Sequence, residues 1–152
     1  MPAEPTIRDL NHDDLSALLA LYEHLHPGDA APDAGKAKMV WADLVNDPRA
    51  VYLGAEVDGV LVASCVATVI PNLTRGARPY AVIENVITHP NYRRRGLGRA
   101  LMQAILERCW RTGCYKVMLQ SAAGRGEAHA FYEAIGFDPH AKQAFVARPP
   151  EK

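Results

Sequence analysis

Three arginines stand in a row at Arg93, Arg94 and Arg95, followed by Gly96, Gly98 and Arg99. They lie in "ENVITHPNYRRRGLGRALMQ", residues 84–103, which opens with the texture of a strand and closes with the period of a helix. A helix N-terminus leaves about four backbone N–H groups unpaired and carries roughly half a positive charge. Glycine lets a ligand approach such a backbone closely, and phosphate is the usual guest. Positive side chains on an already positive helix mouth therefore predict an anion site. On this stretch alone, a solvated basic loop or a short basic patch for nucleic acid stands as the alternative.

Glu84 is the second chemical group. It interrupts the apolar run Ala81-Val82-Ile83 before Val86-Ile87. A carboxylate in mid-strand is costly unless it is paired or functional. It is either a structural partner for a nearby arginine or backbone group, or a group that does chemistry. Asn85 alternates to the opposite face, where it serves the core or orients a substrate. The polar loop "PNLTRGARPY" leads into this strand. Its Asn72, Thr74, Arg75, Arg78 and Tyr80 can line an acceptor pocket, and an arginine there suits an acidic or phosphorylated acceptor. An ordinary solvated loop is the other reading.

The elements that position these groups follow from period and punctuation. Thr6 to Arg8 opens a first strand. A helix follows Asn11, with Leu15, Leu18, Leu19, Tyr22 and Leu25 on one stripe, and ends at Pro27-Gly28. Asp33 caps a second helix to about Val45, with Met39, Val40 and Leu44 inward and Trp41 packing. "AVYLGAEV" and "VLVASCVATVI" form a hairpin across Asp58-Gly59. "YAVIENVIT" is a long strand, and Gly96 to Arg111 is a helix that packs through Leu97, Leu101, Ile105 and Leu106 and carries Trp110 as a packing residue. "YKVMLQSA" is a strand, "EAHAFYEAI" a short helix closed by Gly136, and "QAFVA" a last strand. The strand–helix–strand centre demands parallel strands with a right-handed crossover, while the hairpin is antiparallel. The fold class is α/β: one domain, 1–152, with a central mixed sheet and helices on both faces.

Bulk properties narrow the function. The 152 residues carry 17 Lys+Arg and 17 Asp+Glu, so no global field draws the chain to nucleic acid. No apolar run approaches the roughly 18 residues of a membrane span, and the first residues lack the marks of a secretory signal. Cys65, Cys109 and Cys114 read as buried apolar thiols in a reducing cytoplasm, not a disulfide framework. No metal-ligand spacing is present, and His24 and His26 read as surface residues.

The loop is neither a P-loop nor a dinucleotide fingerprint. It matches R-x-x-G-x-G directly after a strand, as Arg93, Gly96 and Gly98 after "VITHP". This resembles the acetyl-CoA signature of the GNAT superfamily of N-acetyltransferases. "GCYKVMLQ" is similar to that fold's fifth strand, and "AHAFYEAIGF" to its short helix and Gly-Phe. Within the superfamily, "IENV…GCYKV…FYEAIGF" looks most like the glucosamine-6-phosphate N-acetyltransferase branch and its bacterial relatives of unassigned substrate.

The resemblance implies a cofactor, acetyl-CoA, with its pyrophosphate on the turn from Arg93 and Arg94 through Arg95, Gly96, Leu97, Gly98 and Arg99. It implies pantetheine bonded to the backbone of Val86, Ile87 and Thr88. Glu84 would be the base, directly or through water, and a backbone N–H near Val86 the oxyanion donor. Tyr132 would protonate the leaving sulfur, with Phe131 as packing. Many relatives carry an asparagine four residues before that tyrosine. Here it is Ala128, so its contact is missing or supplied by His129 or Ser121. The branch implies a homodimer through C-terminal strands, which would cover "QAFVA". The expected reaction is acetyl transfer to a primary amine of a small molecule by direct attack in a ternary complex. A protein or peptide acetyltransferase and a catalytically silent acyl-CoA sensor are the alternatives.

Overall fold

Cap and turn chemistry sets most element boundaries in the computed structural model, which describes residues 3–151. Strand β1 spans Thr6–Asp9. Asn11 then forms a capping box: its Oδ1 accepts from Asp13 N–H at 2.8 Å, while Asp14 Oδ2 accepts from Asn11 N–H at 2.7 Å. Arg8 forks onto Asp14 with two 2.8 Å bonds and holds that carboxyl below the usual carboxylate range. Helix α1 follows at Leu15–Leu25. Asp33 Oδ1 accepts from Lys36 N–H at 2.9 Å and starts α2, Ala34–Asn46.

Strands β2 (Ala50–Val57) and β3 (Val60–Ile70) join through Asp58 and Gly59, both left-handed at φ +50° and +77°. Two such residues make the turn whose twist matches a hairpin. Strand β4 is Tyr80–Thr88, helix α3 is Leu97–Arg111 and β5 is Val117–Leu119. The sheet order is β1-β2-β3-β4-β5, antiparallel through β4 and parallel between β4 and β5. Helices α1 and α2 cover one face, where Leu10, Leu18, Leu21, Trp41, Leu61 and Ile87 form a buried cluster. Helix α3 covers the other with Leu97, Leu101, Met102, Ile105 and Cys109. The expected mixed sheet with helices on both faces is therefore present. These elements form one compact unit ending at Leu119.

A second unit begins at Gln120 and contains α4, Gly126–Ala134. Its end has a physical cause. Gly136 takes φ +106°, its N–H bonds Glu133 O at 3.0 Å, and Phe137 N–H bonds Tyr132 O at 3.0 Å. This is the paired Schellman closure, and the Tyr132 and Phe137 rings, 6.0 Å apart, supply its apolar contact.

Four expectations are corrected. "QAFVA" is not a strand: it pairs with nothing among the described residues, and Phe145 and Val146 are 86% and 66% exposed. Apolar alternation makes a strand only where an edge receives it. Strand β5 is shorter than "YKVMLQSA", because its pairing with β4 stops at Ile83–Leu119. On α2, Met39 and Val40 face solvent, since Trp41, Leu44 and Val45 form the inward stripe one position on. Trp110 is half-exposed, because Cys109 ends the stripe that α3 buries.

Candidate active site

Strand β4 changes character at its midpoint. Ala81, Val82 and Ile83 pair on one side with β3 and on the other with β5. From Glu84 onward only β3 pairs with it, so its β5 side is an open edge among the described residues. The β3 register also slips here. Glu84 faces Val66 and Ile87 faces Ser64, so Asn85 and Val86 oppose Cys65 alone. This is a β-bulge, with Asn85 left-handed at φ +53°. The extra residue turns Glu84 and Ile87 to the same face, that of α1 and α2. Asn85 and Val86 together occupy the place of one residue opposite Cys65, so the regular alternation of the strand is interrupted there.

Glu84 is exposed, and its carboxylate makes no ion pair or hydrogen bond among the described residues. The structural reading of this acid, a partner for arginine or backbone, thus finds no partner there. The open edge ends at Thr88. His89 Nδ1 then accepts from Asn91 N–H at 3.1 Å and caps a short turn at Pro90–Tyr92. The His89 ring packs edge-on against His24 of α1 at 4.6 Å and near Tyr92 at 5.7 Å.

The arginines divide into two pairs. Arg93 Nε donates to Thr88 O at 3.2 Å, and Arg95 donates to Asn91 O at 3.2 Å while stacking over Tyr92 at 5.0 Å. These two brace the turn. Arg94, left-handed at φ +62°, and Arg99 have no ion pair or hydrogen bond among the described residues. Gly96, at φ +77°, is the N-cap and offers no side chain to α3. The first bond of α3 runs from Ala100 N–H to Gly96 O, so the helix leaves the amides of Leu97, Gly98 and Arg99 unclaimed. Unclaimed amides, two unpaired guanidinium groups and a left-handed glycine are features with which a helix mouth can receive an anion.

The acceptor-loop residues are partly committed. Asn72 Nδ2 braces its own loop by donating to Thr74 O, Thr74 Oγ1 and Arg78 O. Arg78 donates to Arg75 O at 2.9 Å and lies over the Tyr115 ring at 5.6 Å. Lys116 lies over Tyr80 and Tyr115 at 5.3 and 5.2 Å. No ion pair neutralises Arg75, Arg78 or Lys116 among the described residues. Two hollows, of about 110 Å³ against Tyr52 and Arg108 and about 290 Å³ against Ser16 and Lys38, include neither Glu84 nor the 93–99 turn. In the second unit, Tyr132 is half-buried on α4 beside Phe131, 5.3 Å between rings. His129 Nε2 is 2.9 Å from Ala122 O.

The acetyltransferase (GNAT) family model matches residues 15–137. The chain belongs to the GNAT family. Its relatives agree with that membership. A glucosamine 6-phosphate N-acetyltransferase of Trypanosoma brucei brucei is 35% identical over 139 residues, 90% of this chain and 91% of that one. A solved structure from Agrobacterium tumefaciens str. C58 that carries the name acetyltransferase is 38% identical, covers 95% of this chain and 99% of its own, and superposes with TM-score 0.90. The aminoglycoside N-acetyltransferase AAC(6')-Iy, solved with CoA, shares the fold at TM-score 0.81 and 19% identity over 97% of each chain. The GNAT chain described here is thus an N-acetyltransferase.

Sequence reasoning missed the bulge, the split among the arginines and the His24–His89 contact. Only the first had a signal: Glu84-Asn85 breaks the alternation of β4, and asparagine tolerates left-handed backbone.

Proposed function

We propose that this acetyltransferase uses acetyl-CoA to acetylate a primary amine of a small anionic molecule, by direct attack with both substrates bound. The observation that carries the reading is the open β4 edge, which begins at an unpaired carboxylate, Glu84, and leads to the unclaimed amides of α3. When bound, acetyl-CoA supplies the thioester that donates the acyl group. The amides of Leu97, Gly98 and Arg99 with Arg94 and Arg99 hold its pyrophosphate, while Arg93, Arg95 and Gly96 shape the turn. The backbone of Val86, Ile87 and Thr88 holds the pantetheine as an added strand would.

Glu84 accepts the proton that an ammonium, of pKa about 10.4 if it resembles lysine, must lose before its nitrogen can attack. Tyr132 protonates the departing thiolate, a role that rests on the family resemblance of "FYEAIGF". Arg75 and Arg78 attract the acceptor's negative charge, and the uncompensated charge of Arg75, Arg78 and Lys116 supports that class of acceptor. Asn72 holds their loop, and Asn85 orients the acceptor side. Both units belong to one acetyltransferase domain, a reading supported by the span of the family match. The exposed Phe145 and Val146 support a homodimer that covers them, and light scattering of a monomer at micromolar concentration would remove that part. Three buried free thiols suit a cytoplasmic protein, and no helix of the described residues is long and apolar enough to cross a membrane.

The test is a panel of amino sugars, amino-sugar phosphates, polyamines, aminoglycosides and peptides, read by release of free CoA. The proposal expects phosphorylated or acidic amines to be turned over best. Release with peptides alone would replace it by a protein acetyltransferase.

A further inference from the structure

The turn that carries the arginines is held at its start by one side chain. His89 follows the last residue of β4, and its backbone N–H donates to Val62 O of β3 at 2.8 Å. Its carbonyl accepts from Tyr92 N–H at 2.9 Å. Its Nδ1 accepts from Asn91 N–H at 3.1 Å, so the imidazole is the N-cap of the Pro90–Tyr92 turn. The ring meets His24 of α1 edge-on at 4.6 Å and Tyr92 at 5.7 Å. Asn91 in turn gives its carbonyl to Arg95, whose guanidinium lies over Tyr92. One residue thus ties β3, α1 and the arginine turn together. An amide N–H can only donate, so Nδ1 must be the unprotonated nitrogen of a neutral ring. A second proton would go to Nδ1 and set a donor against a donor. The titratable and charged groups beside the ring are His24 from α1, and Tyr92, Arg93 and Arg95 from the turn, while β3 meets the residue through the Val62 carbonyl. No carboxylate pairs with either imidazole among the described residues.

We propose that His89 is a positioning residue for acetyl-CoA: its neutral Nδ1 holds the turn that presents Arg94, Gly96 and the first amides of α3, and protonation of the ring loosens that turn and weakens cofactor binding. The role rests on the acetyl-CoA reading above, because it places the pyrophosphate on that turn. Imidazole is the side chain that changes charge between about pH 5 and 8, so the device works near neutrality. An added positive charge by itself would strengthen the hold on an anion. A lost cap acts the opposite way, so the direction of the pH dependence separates the two.

The test is calorimetric binding of acetyl-CoA to the full chain and two variants. His89→Phe keeps a ring for His24 and Tyr92 but cannot accept a hydrogen bond. His89→Asn keeps a cap acceptor that does not titrate. Near pH 8, His89→Phe should bind acetyl-CoA about five- to tenfold more weakly, the scale of one lost cap, and His89→Asn should recover most of that loss. Between about pH 8 and pH 5.5 the wild type should lose affinity by a similar factor relative to His89→Asn. The cofactor's phosphates titrate alike in every case, so the difference in slope belongs to His89. His24→Phe keeps an edge contact and should keep the wild-type slope. A slope that vanishes in His24→Phe would assign the titration to His24 and overturn the proposal. Equal slopes in wild type and His89→Asn, or a wild-type affinity that rises relative to that variant in acid, would overturn it too. A second readout needs no ligand: the backbone amide signal of Asn91 in ¹⁵N NMR should move with pH in wild type and hold still in His89→Asn. If wild type binds no acetyl-CoA at any pH, the functional reading fails, and the Asn91 signal still decides whether His89 holds the turn.

Discussion

The two halves of β4 solve opposite problems with adjacent residues. From Ala81 to Ile83 the strand is flanked by β3 and β5, and Ala81 and Ile83 are sealed at 0% and 1% exposure. From Glu84 to Thr88 it keeps one neighbour, gains a bulge, and exposes Glu84 and Asn85. Backbone groups that the closed half spends on the sheet are left over in the open half. An open edge is normally a liability. Here it runs to the mouth of α3, where three amides are also unclaimed. The closed half fixes the position of the strand, and the open half is thereby free to serve a ligand.

The sharpest way to break the open half is at its far end. Gly96→Asp places a carboxylate where the pyrophosphate should sit, on a backbone with φ +77° that a side chain enters only with strain. Acetyl-CoA should no longer raise the melting temperature, and its binding by calorimetry should be lost. Unchanged affinity would mean the anion binds elsewhere. The next largest effect is expected at the near end. Glu84→Gln keeps size and hydrogen bonding but cannot take a proton. General base assistance is worth typically 10²–10⁴-fold, so kcat/KM for the acceptor should fall on that scale at neutral pH. Part of the loss should return as pH rises toward the amine's own pKa, because the acceptor then arrives neutral. An equal loss at every pH, with earlier melting, would make Glu84 a structural carboxylate.

The closed half should fail differently. Ile83→Ala removes a fully buried side chain and leaves a cavity, a change that costs typically 2–5 kcal/mol of stability. Melting should drop by many degrees, while the KM for acetyl-CoA of the protein that remains folded hardly moves. A selective loss of cofactor affinity in Ile83→Ala would erase the distinction between the halves.

The contrast was only half legible in the sequence. The bounds of β4 were, because a β-branched run stands between Pro79 and His89-Pro90, and both prolines end regular pairing. The helix mouth was too, since Arg93, Gly96 and Gly98 announce it locally. The bulge was not. An extra residue on one strand is defined by its partner, and nothing near Asn85 names Cys65 as the residue it must share with Val86. The same reason undid "QAFVA", whose alternation has no receiving edge among the described residues. Charge counting also could not separate Arg93 and Arg95, which brace the turn through carbonyls, from Arg94 and Arg99, which do not. That division depends on where each guanidinium lands after the turn has formed.

The smallest expected effect probes the underside of the bulge. Cys65 is the β3 residue opposite Asn85 and Val86, and its thiol is fully buried on the α3 side near Cys109. Burial pushes the Cys65 thiol up to about 12, with Cys109 adding to the rise. Burial pushes Cys109 up to about 11, with Cys114 adding to it. In the unfolded chain both thiols ionise near 8.5. A folded pKa above the unfolded one gives stability that is complete below about 8.5 and is lost as pH rises through the folded values. The unfolded state sheds its thiol protons first, so alkali favours unfolding between about pH 8.5 and 11. The melting temperature of wild type should fall by a few degrees across that window. Cys65→Ala with Cys109→Ala should melt lower at neutral pH, because of the cavities, yet fall less steeply in alkali. Tyrosine and lysine titrations are common to both proteins, so the difference in slope belongs to the thiols. If the two slopes coincide, water reaches Cys65 beneath Asn85 and Val86. The bulge would then be loose on both sides, and the division between a sealed half and an open half of β4 would not extend through the thickness of the sheet.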